Sequence, residues 1–136
     1  MKLTTRARYG VRMLIDIATH PAPVPLALVA ERQGISVQYL RQLALPLTQR
    51  GILSSAKGKN GGFLLSRPAQ SITLQEVVLA LEGDICMTES KPVQENPYDA
   101  CLRVYLYQVV DQRVSSLLAS MTLSDIAFGG KSSFQI

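Results

Sequence analysis

The hydrophobic period of the chain changes at Gly51, and this change limits the folds available to it more than any other feature. Before Gly51, apolar residues recur at helical spacing through about 5–20, 26–34 and 36–51, which predicts three helices. After it come two short strand-like runs, "ILSSA" and "GFLLS", on either side of the glycine- and lysine-rich loop "KGKNG". The first half of the chain therefore reads helix, helix, helix, hairpin.

The second and third predicted helices are joined by the short link "AERQGIS". Gly34 is placed to end one helix and Ser36 to cap the next. Two helices joined in this way form a helix-turn-helix, whose second helix is available for the major groove of DNA. Pro46 is expected to kink or loosen the last turn of that helix. A hairpin directly after it is a wing.

The wing loop has the composition of a phosphate-binding element. Lys57 and Lys59 can neutralise phosphate charge, and glycines let the backbone approach a groove closely. The alternative is a mobile, solvated hairpin. Four side chains expected to be exposed on the preceding helix favour DNA binding over that alternative. They are Gln38, Tyr39, Arg41 and Gln42.

The second half of the chain reads as a short helix, a loop and a long helix. Thr73 and Glu76 form a capping-box pattern for a helix that ends at Gly83. Residues 84–98 are polar and interrupted by prolines, and 99–121 read as one long helix. The apolar stripe expected on it comprises Leu102, Tyr105, Leu106, Val109, Val110, Val114, Leu117 and Leu118. A last short turn opens at Thr122, and the tail over 129–136 is expected to be disordered.

Charge is distributed unevenly between the two halves. Residues 1–70 carry ten Lys and Arg against two acidic residues, whereas 71–136 carry four against eight. A basic half joined to an acidic half suggests a polyanion-binding module attached to a second element. Ordinary surface charge is the alternative. A protein-interaction adaptor would leave the basic half without a role.

Several other classes of protein are disfavoured. The chain has no run of eighteen apolar residues and no long apolar stretch behind its N-terminal charges, so we expect a cytoplasmic protein without a membrane partner. Two cysteines do not make a disulfide scaffold in a chain of 136 residues. One histidine and no phosphate-binding or dinucleotide fingerprint indicate that the protein is not an enzyme.

Four segments, "MKLTTRARYGVRMLIDIA", "AERQGISVQYLRQLALPL", "GILSSAKGKNGGFLLSRP" and "ITLQEVVLALEG", resemble in order and spacing the Rrf2 family of bacterial winged-helix transcription regulators. With "TLSDI" near the end, the resemblance covers about 1–126. It implies a mainly α fold with a winged helix-turn-helix DNA-binding domain over 1–83. It also implies a sensor-type loop over 84–98, and a dimerisation helix with a final turn over 99–128. The implied activity is sequence-specific binding of double-stranded DNA by a homodimer on a palindromic operator.

Carried over position by position, the resemblance implies a set of DNA contacts. They are Ser36, Gln38, Tyr39, Arg41 and Gln42 on the third helix, and Lys57 at the wing position from which basic side chains in the family enter the minor groove. The family commonly has "YLEQL" where this chain has "YLRQL", so Arg41 inverts a charge. An arginine there favours a phosphate or the O6 and N7 atoms of guanine.

The resemblance also implies where a sensor would lie. Cluster-bearing members use three cysteines in the loop before the long helix, and Cys101 falls at the third position. Ser90 falls at the first, the second falls in "VQENP", and the ligating histidine of the assembly regulator falls at Val104. In a branch that uses glutamate and histidine from the first helix, the corresponding residues are Arg8 and Arg12.

Three interpretations of the cysteines follow. The first is an iron–sulfur cluster held by Cys86 and Cys101 with help from Asp99 or Glu95, although clusters usually take four thiolates. In the second, Cys101 senses redox state as a thiol just ahead of a helix, whose N-terminal dipole promotes thiolate formation. The third is a pair of unreactive thiols, with Cys101 packed under the helix, in a clusterless regulator controlled by a protein or small-molecule partner.

Overall fold

The structure, a computed structural model, describes residues 3–86 and 96–129. Four helices and a hairpin make up the first part. They are α1 (Thr5–Thr19), α2 (Leu26–Gln33), α3 (Val37–Gln49), β1 (Leu53–Ala56), β2 (Gly62–Leu65) and α4 (Leu74–Glu82). The mainly α winged-helix fold expected from the sequence is confirmed, with a two-stranded antiparallel sheet as its β structure in the described ranges.

Helix α5 is long and not uniform. Its three consecutive parts are Pro97–Leu102, Arg103–Tyr107 and Gln108–Ser120, of which the middle part is π-helical. The backbone stays right-handed helical at both joins, so we treat the three parts as one helix. It begins two residues earlier than expected, because Asn96 caps it by accepting a hydrogen bond from the backbone N–H of Asp99 at 2.9 Å. A π-helical turn, Asp125–Gly129, follows it.

Helix ends follow the local signals in the sequence. The Ser36 hydroxyl accepts from the N–H of Tyr39 at 3.1 Å, and Gly34 adopts the left-handed conformation that ends α2. Both halves of the capping box between Thr73 and Glu76 are formed. Helix α3 continues through Pro46 to Gln49.

The hairpin is fixed to the rest of the domain from outside its own strands. β1 and β2 pair in the register Leu53↔Leu65 to Ala56↔Gly62. On the edge of β2 that faces away from β1, Phe63 exchanges two backbone hydrogen bonds with Val24, both 2.8 Å long. The segment between α1 and α2 therefore extends the hairpin by one bridge and sets the position of the wing.

The core lies between α1, α3, α4 and β1. Its fully buried side chains include Met13, Leu14, Leu40, Leu43, Leu47, Ile52, Ile72 and Leu123. Leu123 comes from beyond α5, and its N–H donates to the carbonyl of Ile72 at 2.8 Å. The C-terminal end of α5 is thereby attached to the DNA-binding half, with Gln75 and Ser115 hydrogen bonded at 2.6 Å between α4 and α5.

The residues of the wide apolar stripe expected on α5 divide into two sets by exposure. Val110, Val114 and Leu118 are half-buried, on a helix that packs against α4. Leu102, Tyr105, Leu106, Val109 and Leu117 are exposed. The expected loop is described only at its two ends, and the tail from residue 130 onward also lies outside the described residues.

Candidate nucleic-acid interface

Helix α3 presents a polar face to solvent over an apolar back. Gln38, Arg41 and Gln42 are exposed. The buried side of the same helix comprises Leu40, Leu43, Ala44 and Leu47, none more than 3% exposed. Because the back is held in the core, the exposed side chains project from a fixed surface, as recognition of base edges requires.

Tyr39 differs from the expectation of an exposed side chain. It is half-buried, and its ring lies edge-on to that of Tyr9 with the centroids 6.0 Å apart. The reason is its position at the third residue of α3, on the side that faces α1. Ser36 is exposed, but its hydroxyl is engaged in capping the helix.

The wing tip carries two exposed cations on a tight turn. Lys57 and Lys59 are both exposed, and the N–H of Gly61 donates to the carbonyl of Gly58 at 3.0 Å. A Cβ at Gly61 would lie 2.3 Å from the carbonyl oxygen of Ala56, so this turn tolerates only glycine there. The tip can therefore present its lysines and its backbone at close range to a polyanion.

Sequence reasoning missed Leu45, which lies on the exposed face of α3. Its side chain is 60% exposed and follows Gln38, Arg41 and Gln42 at helical spacing. The signal was present in the sequence as an apolar residue on the polar side of the helical period.

A polar cluster between α1 and α2 was also missed. Asp16 is 3% exposed, and its carboxylate accepts from Arg32 Nε and Nη2 and from Gln33 Nε2 at 2.6–3.2 Å. Burial by itself raises the pKa of Asp16, but the hydrogen bonds from Arg32 and Gln33 outweigh it and hold the pKa below its usual value. The sequence signal was an aspartate on the apolar face of the first predicted helix.

Arg12 joins this cluster to Tyr9, whose ring contacts Tyr39 at the start of α3. Its Nε donates to Gln33 Oε1 at 3.1 Å, and its Nη2 donates to the backbone carbonyl of Gln33 at 2.9 Å. Its guanidinium carbon lies 5.2 Å from the ring centroid of Tyr9. Arg8 lies over the same ring at 5.9 Å.

These features match those of a known family. The family model "Rrf2: Iron-dependent Transcriptional regulator" matches residues 3–128. The chain belongs to the Rrf2 family of transcriptional regulators. The resemblance stated from the sequence is therefore confirmed.

Named Rrf2 relatives are similar over most of the chain. The HTH-type transcriptional regulator IscR of Xenorhabdus nematophila is 38% identical over 129 residues, which cover 93% of this chain and 79% of that protein. Among solved structures, CymR, the global cysteine regulator of B. subtilis, aligns with a TM-score of 0.76 and 31% identity over 93% of this chain and 96% of that one. T. potens IscR aligns with a TM-score of 0.78 and 28% identity over 100% and 93%.

The cysteines of this Rrf2 protein are both exposed free thiols. Cys101 does not precede the helix as expected but lies inside α5, which begins at Pro97. Because a helix dipole acts mainly within the first turn, the dipole argument for a reactive Cys101 loses its geometric basis. Desolvation by neighbouring atoms, together with the charges of Asp84 and Asp111, raises the pKa of Cys86, which disfavours its thiolate.

An iron–sulfur cluster usually takes four thiolate ligands, which is more than one copy of this chain offers. The whole chain has two cysteines. Within 3–86 and 96–129, no group of three or more His, Cys, Asp or Glu side chains is placed to hold a metal. Arg8 and Arg12 occupy the positions where the resemblance implies glutamate and histidine ligands in one branch of the family. Arg12 is hydrogen bonded to Gln33.

Across the part of the chain that the structure describes, no helix is both long and apolar enough to cross a membrane.

Proposed function

We propose that this transcriptional regulator binds double-stranded DNA sequence-specifically as a homodimer, with α3 in the major groove and the wing against neighbouring phosphates. The main observation in support is the exposed polar face of α3, whose apolar side is fixed in the core. The bridge between Val24 and Phe63 supports the same reading, because it fixes the lysine-bearing hairpin to the domain that holds α3.

Each exposed side chain of α3 has chemistry that suits a role in the groove. Arg41 can donate two hydrogen bonds to guanine, and Gln38 or Gln42 can do the same with adenine. Leu45 can contact the 5-methyl group of thymine, an apolar group displayed in the major groove. Lys57 and Lys59 are assigned to phosphates, which give affinity rather than sequence preference.

Dimerisation is assigned to the exposed apolar face of α5, defined here as Leu102, Tyr105, Leu106, Val109 and Leu117. All five are more than 40% exposed. Contiguous apolar surface of this kind marks an interaction site. A second copy is the favoured occupant because two recognition helices about 34 Å apart match one turn of a palindromic duplex site.

For the signal, we favour a regulator without a cluster, controlled by a protein or small-molecule partner. The observation behind this choice is the donor set, which lacks the thiolates of a cluster. Thiol sensing by Cys101 is the second candidate, because this exposed thiol precedes the dimer face of α5. A change there could alter the spacing of the two recognition helices.

The DNA-binding assignment is tested by selecting duplexes from a random pool with the full chain. We expect one palindromic sequence to be enriched, and its affinity to fall steeply as salt rises. Enrichment of no sequence, or binding that is indifferent to salt, would contradict the proposal.

The signal is tested on protein purified without oxygen. We expect no iron and no absorption between roughly 320 and 450 nm, the range of cluster colour. If oxidant changes operator affinity in the wild type and Cys101→Ser removes that change, the thiol candidate replaces the partner-controlled one.

A further inference from the structure

A continuous chain of side chains runs from the buried Asp16 to the recognition helix. Asp16 accepts from Gln33 Nε2 at 3.0 Å while Arg32 neutralises it through both carboxylate oxygens. Asp16 is 3% exposed and lies in the last turn of α1. Gln33, the last residue of α2, is therefore held against a fixed point of the core.

The amide of Gln33 has one allowed orientation. Its nitrogen faces a carboxylate, which only accepts, and its oxygen faces the guanidinium of Arg12, which only donates. Flipping the amide would break both hydrogen bonds. It would place the amide oxygen against the carboxylate of Asp16 and the amide NH₂ against the guanidinium of Arg12. Arg12 also donates to the backbone carbonyl of Gln33. Carbonyls in the last turn of a helix have no hydrogen-bond partner within the helix.

Arg12 is thus held by two hydrogen bonds to Gln33, and it contacts the aromatic pair of Tyr9 and Tyr39 through the ring of Tyr9. Its guanidinium lies over the ring of Tyr9, at a distance typical of a cation–π contact. The ring of Tyr9 meets that of Tyr39 at 88°. Tyr39 stands beside Gln38 in the first turn of α3, the part of a recognition helix that reads bases.

We infer that Arg12 is a positioning residue for DNA recognition: clamped by Gln33, it fixes Tyr9 and through it the orientation of Tyr39 at the start of α3. This inference rests on the proposed function. It does not require Arg12 to touch DNA. Its effect reaches the operator through two aromatic rings.

Arg8 provides a matched control, because Arg8→Ala and Arg12→Ala each remove one positive charge beside Tyr9. Affinities of the full chain would be measured for the selected operator and for a random duplex. Non-specific affinity should fall alike in both variants. The ratio of specific to non-specific affinity should fall about tenfold in Arg12→Ala, the combined worth of the two ring contacts, and less than about threefold in Arg8→Ala. Equal ratios in the two variants would overturn the inference.

Gln33→Met keeps every charge and the Asp16–Arg32 pair, so it tests the clamp even if Arg12→Ala folds poorly. It should lower the specificity ratio by a smaller factor and leave random-duplex binding unchanged. An unchanged ratio would count against the clamp.

The ring resonances of Tyr39 report the same contact in the free protein. They should shift clearly more in Arg12→Ala than in Arg8→Ala, because only Arg12 is also held by Gln33. A Tyr39 ring unaffected by Arg12→Ala would refute the inference whether or not the protein has an operator. A wild type without sequence preference would instead refute the proposed function.

Discussion

Gly62 and Val24 are in backbone-to-backbone contact: a Cβ atom at Gly62 would lie 2.4 Å from the carbonyl carbon of Val24. The contact stands beside the two hydrogen bonds that join Val24 to Phe63. It therefore makes the position of the wing depend on a glycine at the start of β2.

Gly62→Ala should displace the wing and lower the free energy of unfolding by about 1–3 kcal/mol, the usual cost of overpacking. Thermal unfolding measures the loss, and operator affinity should fall with it. Asn60→Ala, at the exposed tip, is the control and should unfold like the wild type. Equal stability of the two variants would contradict the close contact.

Asp16→Asn should make the protein less sensitive to acid. The folded-state pKa of Asp16 is lowered, so the carboxylate contributes stability above its unfolded pKa of about 3.9. That contribution is lost as pH falls through the folded-state pKa. Denaturant unfolding at several pH values should show lower stability of the variant at neutral pH and a shallower decline below about pH 4. A parallel decline in both proteins would exclude Asp16 as a source of the acid sensitivity.

Leu106→Glu combined with Val109→Glu should yield monomers. The two side chains are 44% and 46% exposed in the single chain, and a buried interface would desolvate both new carboxylates. Sedimentation gives the mass directly. Gln108→Glu, an exposed polar position on the same helix, adds a carboxylate beside this face and should remain dimeric. A dimeric double variant would place the interface elsewhere.

Arg41→Ala should cost about 1–3 kcal/mol on the selected operator and relax the preference at one base pair. The comparison is Lys57→Ala, which should weaken all duplexes similarly and reduce the salt slope by about one unit. Fluorescence anisotropy titrations at several salt concentrations separate the two effects. If Arg41→Ala weakens random DNA as much as the operator, Arg41 contacts phosphate only.

Leu45 is expected to read a thymine methyl group. Replacing one operator thymine by deoxyuridine should lower wild-type affinity about fourfold, the worth of one buried methyl group. The same replacement should leave the affinity of Leu45→Ala unchanged, since the contact is already lost. Scanning each thymine of the operator in turn would locate it. Indifference of the wild type at every position would place Leu45 outside the groove.

Helices and their ends were predictable because their signals are local. Ser36, Gly34 and the Thr73–Glu76 box act within one helical turn, and each formed as expected. The wing was predictable for the same reason, since glycines and lysines between two short apolar runs favour a hairpin. The residues assigned to DNA on α3 and the wing came from this local pattern together with the family resemblance, and those contacts stay a prediction.

Only the tertiary structure decided which face of each helix is buried against the rest of the domain. Helical spacing placed Val109 and Val110 in one stripe, yet Val109 is exposed and Val110 is half-buried, because period alone does not show which side meets the domain. Tyr39 is half-buried because α1 brings Tyr9 against it. The clamp from Asp16 through Gln33 to Arg12 joins residues up to twenty-one positions apart. Such pairings depend on how α1 and α2 cross, and no local spacing in the chain encodes that angle.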